Sequence, residues 1–321
     1  MRISALGLIG LVLAGCSVIS IDLTPRIRPL QEQTVEGQGY AKILLMDLSG
    51  FLDEEGASPA VAIGAQPPRV PTLVRIREEL KKAAADDRVR ALVLRINSPG
   101  GTVTASDIIS REIEGFKANK RVPVVAVMMD VAASGGYYVA LGADTIIAHP
   151  TTVTGSIGVI MITVNAQGLL EKIGVSASAI KSGPRKDMGS PFRHLTDEER
   201  AIFQSVIDEL QNRFVAKVAE RRNLPIAKAR QIADGRIYTA EQAAQNGLID
   251  QIGYVDDAIR AAKRAAGVGE AQVIVYHRPR EYRATYYARA DASAPRLDTA
   301  LTQFALLLGG TGPRFLYLWW P

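Results

Sequence analysis

Residues 91–101 read ALVLRINSPGG, an apolar run that ends in a glycine-rich turn. The run Ala91–Ile96 has the length and composition of a buried strand. Four segments of alternating helix and strand character follow it, at 103–118, 122–129, 134–143 and 144–148. Strands and helices that alternate at this short spacing predict a layered α/β fold with a mostly parallel sheet.

Elements on both sides of this unit extend the pattern. Ile43–Leu48 is a short apolar run typical of a buried strand, and Ser176–Ile180 is a further strand candidate. Thr196 begins a long predicted helix, because Thr-Asp-Glu-Glu is a capping-box pattern with acidic residues in the first turn. Shorter helices are predicted at 225–233 and 240–246. The sequence contains no internal repeat of fixed period.

The composition limits the class of protein. The chain has 321 residues, of which 47% are hydrophobic and 22% charged, and this suits a folded protein with a large core. A formal net charge of +5 over this length is far from the dense basic stripe of a nucleic-acid-binding protein. One cysteine excludes an internal disulfide, and three scattered histidines leave little for a metal centre. We therefore expect neither a cofactor nor a nucleic-acid partner.

The N-terminus has the three-part layout of a secretory signal peptide. Arg2 precedes an uncharged, mostly apolar stretch, and Leu13-Ala14-Gly15-Cys16 resembles the bacterial lipobox. In that motif the cysteine is acylated, for example with palmitate, and becomes the first mature residue. An uncleaved membrane anchor is the alternative, because the next charge is Asp22 and a membrane span needs about 20 apolar residues.

Four segments follow from these observations. We predict a lipoprotein signal peptide at 1–15, a membrane-proximal tether at 16–40, the main domain at 41–270 and a C-terminal extension at 271–321. The protein is then a bacterial membrane lipoprotein with its domain outside the cytoplasm, on the periplasmic side in a Gram-negative cell. The tail 315–320 is too short to span a membrane, so we expect it to cover a neighbouring subunit or to lie at the membrane–water interface, where Trp and Tyr are favoured.

Two glycine-rich turns are candidates for a catalytic site. Pro99-Gly100-Gly101 and Ala133-Ser134-Gly135-Gly136 each follow an apolar run and precede a predicted helix. Backbone N–H groups at such turns can stabilise an oxyanion, although tight packing between strand and helix also calls for glycine. Ser134 is a candidate nucleophile, but a serine needs a base.

The base is the harder assignment. His149, His194 and His277 have no evident acidic partner, so each is more typical of an ordinary surface or turn histidine. A lysine can serve if burial keeps its amine neutral. Lys181 and Lys186 lie in one loop, where charged residues are usually solvated.

Five motifs in order resemble those of the signal peptide peptidase A family. They are 97–101 (NSPGG), 133–138 (ASGGYY), 154–159 (TGSIGV), 182–191 (SGPRKDMGSP) and 235–239 (GRIYT). The resemblance extends over about residues 42–265 and is to the short form of the family. It implies a serine peptidase with the Clp protease/crotonase-like fold, a layered β-β-α superhelix, which normally assembles into homo-oligomers.

The resemblance also implies roles for individual residues. Ser134 corresponds to the nucleophile and Lys186 to the general base of a Ser-Lys dyad. Ser156 corresponds to the hydroxyl that orients the lysine amine, and the N–H groups of Gly101 and Gly135 to the oxyanion hole. The substrates implied are cleaved signal peptides and other unfolded apolar peptides, with small-to-medium apolar residues expected before the scissile bond.

Two other functions remain open from the sequence. One is an acyl-thioester enzyme of the same fold, in which the glycine N–H groups hold an enolate. Export argues against it, because coenzyme A is cytoplasmic. The other is a non-catalytic lipoprotein scaffold, which would have no chemical need for Ser134, Ser156 and Lys186 together.

Overall fold

The structure is a computed structural model that describes residues 29–54, 70–279, 285–286 and 314–319. The predicted signal peptide and Cys16 lie outside these residues. The strands are β1 Gln31–Glu36, β2 Ala41–Ser49, β3 Val89–Ser98, β4 Gly100–Thr102, β5 Val124–Ala133, β6 Thr145–Ala148, β7 Val153–Gly155, β8 Ile160–Met161, β9 Ile237–Thr239, β10 Gln251–Ile252, β11 Ala271–His277 and β12 Phe315–Leu318. The helices are α1 Thr72–Ala84, α2 Val103–Lys120, α3 Gly135–Ala140, α4 Gln167–Lys172, α5 Asp197–Arg222, α6 Ile226–Ile232, α7 Ala240–Gln245 and α8 Val255–Ala265.

A mostly parallel sheet forms the centre of the molecule. Its strand order is β1-β11-β2-β3-β5-β6-β10, with β7 and β9 added beyond the end of β5. From β11 to β10 every neighbouring pair on this path is parallel, whereas β1 and β9 are antiparallel to their neighbours. The predicted layered α/β fold with a mostly parallel sheet is confirmed.

The pleat of the central strands separates two apolar layers. Along β2, Leu44 and Met46 belong to the larger buried cluster, and Ile43 and Leu45 belong to the second. This alternation follows from the two-residue period of a strand. Helix α8 covers the second face through its own buried apolar side chains. Both faces of the sheet are therefore buried, which explains the near-continuous apolar runs of its strands.

The long helix begins where the sequence predicted. The Thr196 hydroxyl accepts a hydrogen bond from the Glu199 N–H, and the Glu199 carboxylate accepts one from the Thr196 N–H. This capping box confirms the predicted N-terminus of α5.

The strand prediction for Ser176–Ile180 is wrong, because the segment is exposed and pairs with no strand of the described chain. Apolar residues alone do not make a strand without a neighbouring edge to complete its hydrogen bonds.

The main sheet extends beyond the segment 41–270. Strand β1 lies within residues 16–40, and β11 lies within 271–321. Strand β11 pairs in parallel with β2, with Ala271 opposite Ala41. Among the described residues, no helix combines the length and the apolar character needed to cross a bilayer.

Candidate active site

The candidate site lies where two neighbouring parallel strands end. Strand β3 leads into the turn at Pro99, strand β5 leads into Ser134, and Ser98 pairs with Ala132. The carboxyl ends of adjacent parallel strands meet at one edge of a sheet, and α/β proteins commonly bind ligands there. The two glycine-rich turns predicted from the sequence are therefore brought together.

Side chains of the first turn tie the two strand ends together. The Asn97 side-chain oxygen accepts a hydrogen bond of 3.1 Å from the N–H of Val131. The Ser98 hydroxyl accepts one of 3.1 Å from the N–H of Gly100 and donates one of 2.6 Å to the carbonyl of Gly50. These buried bonds fix the backbone that presents Gly101.

Ser134 has a strained backbone and an unsatisfied hydroxyl. Its φ is 52° and its ψ is −114°, in a region that residues with a side chain rarely adopt. The side chain is fully buried, and Oγ has no hydrogen-bond partner in the described part of the chain. The Ser134 N–H donates to the carbonyl of Gly155 at 2.8 Å, which holds this conformation in place. A strained residue with an unpaired buried hydroxyl is a combination that proteins keep mainly at functional sites.

Ser156 lies beside Ser134. Ala133 pairs with Gly155 between β5 and β7, so the residues that follow them leave the sheet side by side. Ser156 also has a positive φ, 47°, and its N–H donates to the carbonyl of Arg236 at 2.8 Å. Of the four non-glycine residues with positive φ in the described ranges, the other two are the C-caps of α2 and α5. Ser134 is the N-cap of α3 and Ser156 follows β7, so a left-handed C-cap explains neither positive φ.

The predicted oxyanion-hole glycines are closely surrounded. A methyl group at Gly101 would lie 1.9 Å from the carbonyl oxygen of Leu52, because Leu52 pairs alongside this turn. A methyl group at Gly135 would lie 2.4 Å from the Ser106 hydroxyl oxygen. Each position therefore tolerates only glycine without movement of its neighbours.

The structure does not bring Lys186 to Ser134. Lys186 is exposed, whereas the Ser134 hydroxyl is buried and unpartnered. Lys186 lies in a loop between α4 and α5 that also exposes apolar side chains, including Ile173, Ile180 and Phe192. No hydrogen bond or ion pair joins the Lys186 side chain to another residue of the described chain.

Arg193 anchors this loop to the start of α5. Its guanidinium bonds the Asp187 carboxylate at 2.8 Å and the Glu199 carboxylate at 2.5 Å. Hydrogen bonds from Arg193 and Lys181 hold the pKa of Asp187 well below its usual range. The bonds from Arg193 and from the Thr196 backbone lower the pKa of Glu199 to about 2. The backbone next to Lys186 is therefore held by charged groups, while Lys186 itself is exposed.

A strand that the sequence did not predict lies over the site. Residues 315–318 form β12, which pairs antiparallel with β4 on one side and with β8 on the other. The tail was expected to cover a neighbouring subunit or to lie at an interface, and instead it occupies a groove of its own chain. The continuous apolar and aromatic run Phe315-Leu316-Tyr317-Leu318 was a usable strand signal, but no pattern in the sequence identified the partners of this strand.

The remaining candidates lie elsewhere. Within the described ranges, the ring nitrogens of the histidines face Thr151, Asn165 and the Arg278 carbonyl, and none reaches Ser134. No group of three potential metal ligands is present among those residues.

Comparisons with known proteins identify the same region. The model of peptidase family S49 matches residues 117–269, a range that includes Ser134, Ser156 and Lys186. The chain is 37% identical over 246 residues to the “Putative signal peptide peptidase SppA” of Enterococcus faecium, covering 77% of this chain and 70% of that protein. It is 43% identical over 192 residues to a “Putative protease” of Synechocystis sp., and the match covers 60% of this chain and 69% of that protein. It is 37% identical over 188 residues to “Protease 4” of Salmonella typhi, covering 59% of this chain and 30% of that one.

Proposed function

Because the chain belongs to peptidase family S49 and is a serine peptidase, we propose that it is a membrane-attached endopeptidase that uses a Ser134–Lys186 dyad. Its substrates are cleaved signal peptides and other unfolded apolar peptides. The observation that carries this proposal is the buried, strained Ser134, which has an unpartnered hydroxyl and lies in one of the two adjacent glycine turns. Mutual geometry of this kind is what distinguishes a nucleophile from an ordinary buried serine.

The reaction proceeds in two halves. The neutral amine of Lys186 takes the Ser134 proton, and the alkoxide attacks the peptide carbonyl carbon. The N–H groups of Gly101 and Gly135 stabilise the negative charge on the carbonyl oxygen, and each such donor contributes about 2.7–4 kcal/mol. The lysine ammonium then gives its proton to the leaving amine. A water molecule, deprotonated by the lysine, hydrolyses the acyl-enzyme and restores the serine.

This mechanism requires the lysine to approach the serine. Lys186 is exposed and Ser134 is buried beneath β12, so the loop of one chain has to move or the lysine has to come from another copy. The apolar side chains that the Lys186 loop exposes support the second arrangement, because exposed apolar patches often mark protein contacts. We therefore propose a homo-oligomer in which this loop is covered and the amine of Lys186 is shielded from water.

Substitution of the dyad tests the proposed activity. Ser134→Ala and Lys186→Ala should each lower cleavage of casein or of a signal peptide by at least about 10³-fold, because each removes a member of one catalytic unit. Lys181→Ala is the matched control, since Lys181 lies in the same loop and bonds Asp187 at 2.6 Å. Circular dichroism and size-exclusion chromatography would establish that fold and assembly are retained. Near-wild-type activity of either dyad variant would refute the assignment.

The membrane attachment rests on the sequence. The lipobox at residues 13–16 supports acylation of Cys16, and two or more acyl chains hold a protein on a bilayer where one barely does. The catalytic domain then faces the extracytoplasmic side. Mass spectrometry of the mature N-terminus should find an acylated Cys16, and Cys16→Ser should release the protein from the membrane fraction. An unmodified Met1 terminus would rule out the lipoprotein assignment.

A further inference from the structure

Helix α5 carries a polar side chain at a position that faces the core. Phe214, Val215 and Val218 are buried in the main apolar cluster. Gln211 precedes Phe214 by three residues and Val215 by four, and residues at this spacing lie on one face of a helix. The side of α5 that packs onto the core therefore includes one amide group, and polar groups at such positions are normally hydrogen-bonded.

The amide of Gln211 joins two loops. Its Nε2 donates a 2.7 Å hydrogen bond to the carbonyl of Ala233, the C-cap of α6, and a 3.3 Å bond to the carbonyl of Ile157, which follows Ser156. A flipped amide would turn Oε1 toward two carbonyl oxygens, so only the present orientation forms these bonds. Oε1 is buried and has no hydrogen-bond partner in the described part of the chain. Since an unpaired buried acceptor costs stability, the bonds to the two loops are what this side chain contributes.

The same two loops hold the strained backbone of Ser156. The Ser156 N–H donates to the carbonyl of Arg236, three residues after Ala233, at 2.8 Å. Strand β9 begins directly after Arg236 and pairs with β7, which ends directly before Ser156. Gln211 thus fixes both the residue that follows Ser156 and the turn that accepts the Ser156 hydrogen bond.

Helix α5 is a fixed support for these bonds. It is 26 residues long and is capped at both ends. The turn itself is also held from β9, because the buried Tyr238 donates a 2.9 Å hydrogen bond from its hydroxyl to the carbonyl of Ile232. Tyr238 ties the turn to its own strand, whereas Gln211 ties the turn and the Ser156 loop to the long helix.

Given the proposed endopeptidase activity, on which this rests, we infer that Gln211 is a positioning residue whose two hydrogen bonds hold the Ser156 hydroxyl where it orients the amine of the catalytic lysine. Gln211 acts through Ser156 rather than on the reacting atoms. Its loss should therefore slow the chemical step and leave substrate binding almost unchanged. Misplacement of a catalytic group by about 1 Å can cost about 10²-fold in rate.

Substitution of Gln211 tests the inference on the full-length protein with a signal peptide as substrate. Gln211→Leu removes the amide and nearly keeps the size of the side chain, so kcat should fall by about 10- to 100-fold with KM within about 2-fold of wild type. Gln204→Leu is the matched control, because Gln204 lies on the exposed side of the same helix and bonds Asp208 one turn further on at 2.8 Å. Its kcat should stay within about 2-fold of wild type.

A double-mutant cycle separates positioning from a general loss of stability. If Gln211 acts through Ser156, Gln211→Leu should lower kcat by no more than about 3-fold in a Ser156→Ala background. A smaller folded fraction would instead reduce kcat by the same factor in both backgrounds. Equal factors in the two backgrounds, or a wild-type kcat for either single variant, would overturn the inference.

Failure of the inference and failure of the proposed function give different results. If cleavage depends on Ser134 but Gln211→Leu behaves like Gln204→Leu, the positioning role fails and the peptidase remains. If wild type cleaves no signal peptide faster than Ser134→Ala, the proposed endopeptidase activity fails, and the role of Gln211 fails with it.

Discussion

At the scale of single residues, the site contains backbone conformations and an unpaired buried hydroxyl that are rare in folded proteins. Ser134 combines positive φ with an unpaired buried hydroxyl, and Ser156 beside it also has positive φ. Each such backbone costs of the order of 1–3 kcal/mol and persists only where the surroundings enforce it. Here the hydrogen bonds to Gly155 and Arg236 enforce it. The strain presents both hydroxyls at the same end of the sheet.

Gly101 offers a prediction at this scale. In Gly101→Ala the added methyl group would meet the Leu52 carbonyl at 1.9 Å, so the turn has to shift. We expect a loss of about 10²-fold or more in kcat, because one oxyanion donor is displaced. Overpacking should also lower the free energy of unfolding by about 1–3 kcal/mol. Enzyme kinetics and urea denaturation measure the two effects.

Gly115→Ala is the control for that substitution. Gly115 lies inside α2, and a methyl group there would meet no atom within 4 Å. Alanine is the better helix former, so this variant should keep its activity and gain about 0.5–1 kcal/mol of stability. If both variants behaved alike, Gly101 would have no special role.

At the scale of elements, one short strand explains why the site of this chain is closed. Strand β12 buries Tyr317 against α3 and α5 and covers the turn that carries Gly101. Under the proposed function a peptide substrate would pair with β4 in place of β12. Because β12 belongs to the same chain, we expect it to compete with such a peptide at an effective concentration of about a millimolar.

Tyr317→Ser tests this competition. The substitution removes the ring that packs against Tyr138 and Phe214, so β12 should be held less tightly and kcat/KM for a signal peptide should rise several-fold. Tyr40→Ser is the matched control, because Tyr40 is 79% exposed and lies away from the groove. A rise of equal size in both variants, or a rise in neither, would show that β12 does not compete with substrate.

At the scale of the whole molecule, the two halves of the proposed dyad lie in different environments. Ser134 lies at the end of a buried strand, whereas Lys186 lies on a loop whose apolar side chains are exposed in the described chain. The proposed mechanism needs a neutral amine, so the proposed homo-oligomer has to shield Lys186 from water.

Mixing of inactive variants tests the proposed assembly. Ser134→Ala and Lys186→Ala, each inactive alone, should regain activity when they are unfolded and refolded together. If serine and lysine come from neighbouring copies, random association of equal amounts should give about a quarter of the wild-type sites. Separately refolded and then combined variants are the control. Absence of any recovery would place the lysine within its own chain.

The sequence by itself determined the sheet, its helices and the chemistry of the two turns. The run Ala91–Ile96 is buried, so it is recognisable in the sequence as a continuous apolar segment. The cap of α5 joins Thr196 to Glu199, three residues further on, so it is recognisable as a short motif. Only the tertiary structure decided that residues 315–318 cover Gly101 and that residues 176–180 form no strand. A strand needs an edge to pair with, and both partners of β12, β4 and β8, lie more than 150 positions away from it in the chain. Pairing over such a distance depends on the folded shape of both partners, which no local pattern records.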